Sequence, residues 1–196
     1  LLLAIISTWF VAGTLDFKPG GVFAPDVDTT VAGAILLLFI FGIGKAAIMP
    51  FHRWLPAAMV APTPVSALLH AVAVVKAGVF TVLKVCVFIF GIDLLAVLPT
   101  TQFLLYLAGF SVLFASLIAM RQDNLKARLA YSTISQLGYI TIGALLATSA
   151  GVVGSSMHIA THAVGKITLF FCAGAILVAA HKSNISEMRG LGRKMP

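Results

Sequence analysis

Three ionisable side chains recur at helical spacing near the end of the chain. His158, His162 and Lys166 stand at positions i, i+4 and i+8, so they share one face of a helix. At 1.5 Å per residue, this column covers about 12 Å along the helix axis. A neutral imidazole both donates and accepts hydrogen bonds, and a buried lysine is able to give up its proton. The pattern predicts either a hydrogen-bonded column or a column that relays protons.

The histidine pair has a superficial likeness to a zinc-binding helix. In the H-E-x-x-H motif a glutamate follows the first histidine, whereas Ile159 occupies that position here. No carboxylate ligand lies close by in the sequence. We therefore expect no metal site in this chain.

Four further ionisable residues, Lys45, His70, Lys76 and Lys84, interrupt apolar sequence. A lysine inside a membrane costs about 2.5–3.5 kcal/mol on insertion scales. Lys84 lies near the end of its apolar run, where its ammonium is able to reach the interface. Lys76 lies near the middle, which favours a function. For Lys45 and His70 two interpretations stay open, proton transfer and a local structural hydrogen bond.

A second polar stripe lies in the segment AYSTISQLGYI. Its members, Ser132, Ser135, Gln136 and Tyr139, have offsets of 0, 3, 4 and 7, which place them on one helical face. Such a face either lines a hydrated path or forms hydrogen bonds between helices, as Ser and Gln commonly do in membranes. The sequence favours neither.

The acidic residues are distributed quite differently from the buried lysines. All six fall in predicted loops: Asp16, Asp26, Asp28, Asp93, Asp123 and Glu187. A buried ammonium is normally paired or deprotonated. We expect either that the partner carboxylates lie outside this sequence or that the lysines are largely neutral at rest.

The composition explains why these polar residues are conspicuous. The chain has 196 residues, of which 60% are hydrophobic and 10% charged, with a mean hydropathy of +1.08. Soluble domains carry about 25% charged residues. We therefore predict an all-α integral membrane protein that spans a lipid bilayer.

Apolar segments divide the chain into predicted transmembrane spans. They cover residues 1–14, 31–49, 64–90, 100–120, 128–148 and 155–181. The first is too short to cross a bilayer, which takes about 20 helical residues. We expect residues 1–196 to be an internal fragment of one larger membrane domain.

The net charge of +7 follows the topology. Loops 50–63 and 121–127, the foot of the following helix and the tail 182–196 would share one side of the membrane. They hold Arg53, Arg121, Lys126, Arg128, Lys182, Arg189, Arg193 and Lys194, against Lys18 alone on the other side. By the positive-inside rule the basic side is cytoplasmic. This asymmetry argues against a nucleic-acid partner. We expect the protein in a bacterial cell membrane.

Prolines predict a broken helix. Pro50, Pro56, Pro62 and Pro64 fall within fifteen residues, and each lacks a backbone donor and disrupts the preceding helical turn. Non-helical backbone at membrane depth is tolerated only where it lines a cavity or is buried in protein. We predict a multi-helix transmembrane bundle with a discontinuous helix around Pro50, Pro62 and Pro64, as transporters have beside their binding sites.

Three blocks of sequence resemble one family. They are GKAAIMPFHRWLPAAMVAPTPVSALLHAVAVVKAG, DNLKARLAYSTISQLGYI, and the segment from HIATHAVGK to ISEMRGLGRKMP. They are similar to the antiporter-like, proton-conducting membrane subunits of respiratory complex I, membrane-bound hydrogenases and Mrp-type cation/proton antiporters. The resemblance covers about residues 31–196 and leans toward the Mrp D-type branch. Ala57 and Val60 depart from it, because many relatives have acidic residues there.

The resemblance implies two inverted helix repeats, each with one broken helix. It implies that Lys45 faces a glutamate on an earlier helix, and that protons pass along Lys45, His70, Lys76, His158, His162 and Lys166. The expected function is proton translocation, with Na⁺ as a further candidate ion, by a subunit that assembles with other membrane subunits.

Proton conduction has two alternatives. One is a non-conducting subunit that only anchors redox or antiporter partners. The other is direct redox catalysis, for which the chain has no C-x-x-C or G-x-G-x-x-G motif. We expect no cofactor and no redox or hydrolytic site in this chain, although the host complex could still be an oxidoreductase.

Overall fold

A computed structural model describes residues 1–193 and 195, with Ala71 and Val72 described through their backbone only. Lys194, which belongs to the predicted basic tail, lies outside the described residues. In the described part all regular elements are helical, and one isolated β-bridge joins Asn124 to Asn184. The predicted all-α fold class is confirmed.

Nine α-helices, numbered in chain order, make up most of this part of the chain. They are α1 Leu2–Ala12, α2 Thr29–Gly42, α3 Trp54–Ala57, α4 Thr63–Ala67, α5 Val74–Lys84, α6 Ile92–Val97, α7 Pro99–Arg121, α8 Leu125–Leu145 and α9 Ser149–Ala180. Short 3₁₀ turns cover Gly44–Ala46, Ala58–Val60, Ile185–Glu187 and Leu191–Arg193, and π-helical turns cover Leu68–Val72 and Val85–Phe90.

Three helical stretches are long and apolar enough to cross a membrane. They are Thr63–Phe90, which combines α4, α5 and both π turns, together with α7 and α9. The first two match the predicted spans 64–90 and 100–120, and α9 begins six residues before the predicted start at 155. Helix α8 is long enough but more polar, because it carries the Ser–Gln stripe on a largely buried helix.

The helix observed within the predicted span 31–49 is shorter than that span. Helix α2 ends at Gly42 and is followed by the Gly44–Ala46 turn and by Ala47 in the left-handed region at φ 53°. Glycine weakens the helix at this point and Pro50 cannot continue it. Met49 N donates a 3.4 Å hydrogen bond to Ser111 Oγ of α7, which satisfies a backbone group that the break releases. The discontinuity predicted at Pro50 is therefore present.

The other two predicted helix-breaking prolines have a different position. Pro62 caps the amino end of α4 and Pro64 lies in its first turn. A first-turn proline needs no backbone donor and already has a helical φ. These prolines begin the long helix instead of interrupting it, and its irregularities are the two π turns.

Hydrogen bonds join the basic segments at one end of the bundle. Leu125 N donates to Ser183 O at 3.0 Å, Ile185 N donates to Asp123 O at 2.9 Å, and Lys126 Nζ donates to Ala61 O at 3.1 Å. Loops 50–63 and 121–127 and the tail therefore share this end, here called the basic end.

The Asp123 carboxylate helps to hold the tail at the basic end. It accepts hydrogen bonds from the hydroxyl of Ser186 at 2.7 Å and from its backbone N–H at 3.0 Å. These bonds lower the pKa of Asp123, so this carboxylate is ionised and able to accept both bonds at neutral pH.

The other end of the bundle, here called the opposite end, is closed by backbone pairing. Lys18 N donates to Phe88 O at 3.3 Å and Val22 N donates to Ile89 O at 2.9 Å. Lys84 Nζ lies 4.1 Å from the centre of the Phe17 ring in the same region. The interpretation of Lys84 as a residue that reaches the interface agrees with this position.

Glycine permits one close approach that matters for the site. A Cβ at Gly78 of α5 would lie 2.5 Å from the Lys45 carbonyl carbon and 2.6 Å from Ala46 N. The turn that carries Lys45 therefore rests directly on α5, two residues after Lys76. Only glycine allows this backbone contact.

We predict that Gly78→Ala separates the Gly44–Ala46 turn from α5 and lowers the unfolding free energy by about 1–3 kcal/mol, the usual range for overpacking. Thermal unfolding of the full-length protein in detergent measures the loss. Gly109→Ala on α7 is the matched control, because a Cβ there has no neighbour within 4 Å. Equal stability of the two variants would contradict the close contact.

Candidate functional site

Helix α9 carries the predicted column along the face that it turns toward the bundle. His162 and Lys166 are 8% and 3% exposed, and His158 is half-buried. Most of the other side of α9 is exposed and consists of apolar or small residues. The spacing of four residues therefore directs these three side chains against α5 and α8.

Lys76 of α5 contacts the middle of the column. Its Nζ is hydrogen-bonded to Nδ1 of His162, and Lys76 itself is 6% exposed. The two residues are 86 positions apart, so this contact links the long helix Thr63–Phe90 to α9.

Lys166 is held by α8. Its Nζ donates to the carbonyl oxygen of Leu129 at 3.0 Å and to Ser132 Oγ at 2.9 Å. Both acceptors are neutral. All six acidic side chains of the chain are exposed, so neither buried lysine contacts a carboxylate of the described residues.

His158 continues the column toward the opposite end. Its Nε2 lies 2.9 Å from Gln136 Oε1, and its ring stacks on that of His162 with centroids 5.8 Å apart and an angle of 11°. Tyr139 presents its ring edge to His158 at 6.5 Å. Gln136 and Tyr139 of α8 therefore both contact His158 of α9.

His70 lies one turn beyond Lys166, toward the basic end. It is fully buried and packs on Phe170 with ring centroids 5.4 Å apart. Phe170 follows Lys166 by four residues and continues the same face of α9. Neither ring nitrogen of His70 has a hydrogen-bond partner among the described residues. His70 also belongs to the π-helical turn Leu68–Val72, and π turns frequently occur at functional sites.

The stripe on α8 divides between two neighbours. Ser132, Gln136 and Tyr139 contact the column, whereas Ser135 Oγ lies 2.9 Å from Ser116 Oγ of α7. Ser135 stands at the edge of the stripe, where the helical rotation turns it toward α7. Hydrogen bonding between helices therefore describes Ser132, Gln136 and Ser135. That the stripe lines a hydrated path stays a prediction.

Lys45 is not buried with the other lysines. It is exposed on the Gly44–Ala46 turn and lines a surface cleft of about 760 Å³ together with Pro50 and Arg53. Helix α2 ends before Lys45, so this residue lies on a turn and not within a continuous helix over residues 31–49. No hydrogen bond of the described residues connects Lys45 to the column.

Sequence reasoning missed two residues that extend the α9 face. Ser155 is buried and donates to Ile140 O at 3.0 Å, and Phe170 fills the space between Lys166 and His70. Ser155 lies three residues before His158 and Phe170 four residues after Lys166, so helical spacing alone could have placed both on the face of the column. Among the described residues, no three His, Cys, Asp or Glu side chains converge as metal ligands would.

This fold and site define a class of protein: an α-helical membrane protein with buried lysine and histidine side chains joined across its helices. All 196 residues match a family described as NADH:quinone oxidoreductase/Mrp antiporter, transmembrane region. The chain belongs to this family.

Individual relatives agree with the family assignment. NADH-quinone oxidoreductase subunit L of Rickettsia bellii is 43% identical over 164 residues, which cover 83% of this chain and 24% of that protein. The chain thus spans about a quarter of this curated relative.

Two solved structures share the fold. The Mrp complex from Dietzia sp. has a TM-score of 0.78 at 33% identity and covers 90% of this chain and 19% of the matched chain. The archaeal membrane-bound sulfane sulfur reductase has a TM-score of 0.83 at 32% identity and covers 100% of this chain and 40% of its own. The preference for the Mrp D-type branch stays a prediction.

Proposed function

We propose that this chain conducts protons across the membrane as part of a subunit in a multisubunit complex. The observation that carries the proposal is the hydrogen bond between Lys76 and His162, two buried basic groups on different helices. Stacked beside His162 is His158, and one turn away is Lys166. Each group is able to hold a proton or release it.

Among the described residues, neither buried lysine has a carboxylate neighbour, and this arrangement fits transfer better than static pairing. A permanent ion pair would be the simplest structural reason for a buried lysine, yet Lys76 and Lys166 contact neutral acceptors only. Two positive charges in one poorly solvated column repel each other strongly. Arrival of one proton therefore favours departure of another.

The ion that suits this column is the proton. Sodium prefers several oxygen ligands, and here the buried groups are ammonium and imidazole side chains with few oxygens around them. We therefore assign protons to the column, and any Na⁺ exchange to another part of a parent complex.

Lys45 keeps a role in the proposal. It is exposed on a turn that rests on α5 at Gly78, two residues after Lys76. Its partner must then come from outside the described residues, as the family resemblance implies with a glutamate on an earlier helix. Lys45 would regulate the protonation of Lys76 through α5.

The relatives support a multisubunit setting. Their names describe a subunit of NADH-quinone oxidoreductase, an Mrp complex and a respiratory membrane complex. We propose that this chain likewise assembles with other membrane subunits. A purely anchoring subunit is the alternative, and it predicts that variants of the column change assembly without changing transport.

We predict that Lys76→Met lowers proton-coupled transport of the complex by at least about a hundredfold, the lower end of the range for loss of a positioned acid–base group. Lys84→Met, on the same helix but bound over Phe17, should retain transport. Proton uptake in vesicles gives the rates, and native gels show whether both variants assemble. Wild-type rates in an assembled Lys76→Met complex would favour the anchoring alternative.

We also propose that the basic end faces the cytoplasm of a bacterial cell, because Lys and Arg concentrate there. In a variant with Cys86 and Cys172 replaced by Ala, Asp16→Cys should react with an impermeant maleimide on intact cells. Ser183→Cys should react only after permeabilisation. Both positions are exposed, so the reverse pattern would invert the topology.

A further inference from the structure

A clasp of hydrogen bonds at the basic end joins residues 123–125 to residues 183–186. Two of its bonds connect the backbones, at 3.0 and 2.9 Å. The Asp123 carboxylate accepts two more, from the hydroxyl of Ser186 at 2.7 Å and from its N–H at 3.0 Å. Because bonds to an ionised carboxylate are stronger than bonds between neutral groups, the two bonds to Asp123 are the strongest in the clasp.

The clasp lies between the end of α9 and the beginning of α8. Helix α9 ends at Ala180, and His181, in the left-handed region at φ 53°, turns the chain back. Helix α8 begins at Leu125, directly after Asn124, whose side chain caps the helix by accepting from Ala127 N at 3.1 Å. The clasp therefore connects the helix that carries the column to the helix that supplies its partners.

Contacts between α8 and α9 depend on the register of these two helices. Lys166 Nζ lies 2.9 Å from Ser132 Oγ, and His158 Nε2 lies 2.9 Å from Gln136 Oε1. Because the helices run antiparallel, sliding one along the other shifts both contacts together. Hydrogen bonds form within about 2.7–3.2 Å, so a slip of one or two residues, about 1.5–3 Å, weakens or breaks both.

Packing among the described residues holds only a narrow face of α9. Near the opposite end, Ser155 Oγ donates to Ile140 O at 3.0 Å, and a Cβ at Gly143 would lie 2.1 Å from the same oxygen, so α9 is fixed there. The clasp fixes the other end, about 21 Å beyond Lys166 along the axis. Of the 32 residues of α9, five are buried: Ser155, His162, Lys166, Phe170 and Ala173.

We infer that Asp123 is a positioning residue for the column. Through the clasp it keeps α8 and α9 in the register that places Ser132 on Lys166 and Gln136 on His158. A helix moves along its axis as a rigid element, so a contact at its end acts on residues several turns away. The inference rests on the proposed proton function and adds a residue that acts from the exposed basic end without contacting the column.

A reversible covalent link tests the clasp. In the full-length protein with Cys86 and Cys172 replaced by Ala, Asp123→Cys and Ser186→Cys are combined, since both positions are exposed and hydrogen-bonded to each other. In the reduced state this variant lacks both carboxylate bonds. Proton-coupled transport per assembled complex should then fall at least about tenfold, within the loss that a small misplacement causes. Mild oxidation should form the disulfide, which non-reducing gels detect, and restore most of the transport.

Three results of this experiment would overturn the inference. Unchanged transport in the reduced variant would show that the column does not need the clasp. Failure to form the disulfide would show that the two segments are apart in the working complex. A disulfide without recovery of transport would show that the loss has another cause.

A second comparison separates positioning from a role in folding. Ser132→Ala alone should lower transport severalfold, and Asp123→Ala combined with it should transport about as fast as Asp123→Ala alone, with rates again taken per assembled complex. Asp93→Ala, which removes an exposed aspartate from the first turn of α6, is the matched control and should transport normally. If Asp123→Ala does not assemble, Asp123→Asn, which retains one acceptor oxygen, takes its place.

Two outcomes of this comparison would contradict the positioning role. An additional loss in the double variant, as large as Ser132→Ala causes alone, would show that Asp123 acts elsewhere. No loss in Ser132→Ala would show that the contact preserved by the clasp does not matter. The Lys76→Met comparison decides the proton function independently, so normal transport in the Asp123 variants would reject the clasp and leave the conduction proposal intact.

Discussion

Two lysine side chains are buried in this bundle, and among the described residues neither has a carboxylate beside it. Removing a charged amine from water is costly, and that cost is normally recovered by an opposite charge at close range. Here Lys76 has an imidazole, and Lys166 has a backbone carbonyl and a hydroxyl. Neutral partners of this kind hold a lysine in place without fixing its charge. The other features of the site follow from the need to supply neutral polar partners to two buried lysines.

The helices that surround the lysines provide polar atoms where a bundle would otherwise be apolar. Helix α9 places a polar side chain on every turn of its inner face from His158 to Lys166. Gln136 and Ser132 of α8 form hydrogen bonds with His158 and Lys166. This explains why α8, although 21 residues long, is less apolar than its neighbours. The outer face of α7 has the opposite character, because large apolar side chains such as Phe110 and Leu113 remain exposed there.

Local patterns in the sequence predicted the features that depend on helical periodicity. The shared face of His158, His162 and Lys166 followed from spacing alone, and the break at Pro50 followed from proline chemistry. The contact between Lys76 and His162 did not, because a pairing of residues 86 positions apart depends on how helices pack.

Helix ends and face edges were the weak points of the prediction. Hydropathy continued the second span through Lys45, since a scale that averages over many residues does not register Gly42 and Gly44 as a helix end. Ser135 has the same helical offsets as its neighbours, yet it contacts Ser116 of α7. A small rotation about the axis of α8 decides whether a side chain faces α7 or α9, and residue spacing alone does not specify that rotation.

The central claim is that Lys76 and His162 act as one proton-transfer unit. A double-mutant cycle on proton-coupled transport, with Lys76→Met, His162→Leu and the combination in the assembled complex, measures this coupling directly. If the two residues form one unit, the double variant should transport about as fast as the slower single variant. Losses that multiply would show that each residue acts independently, and would contradict the account.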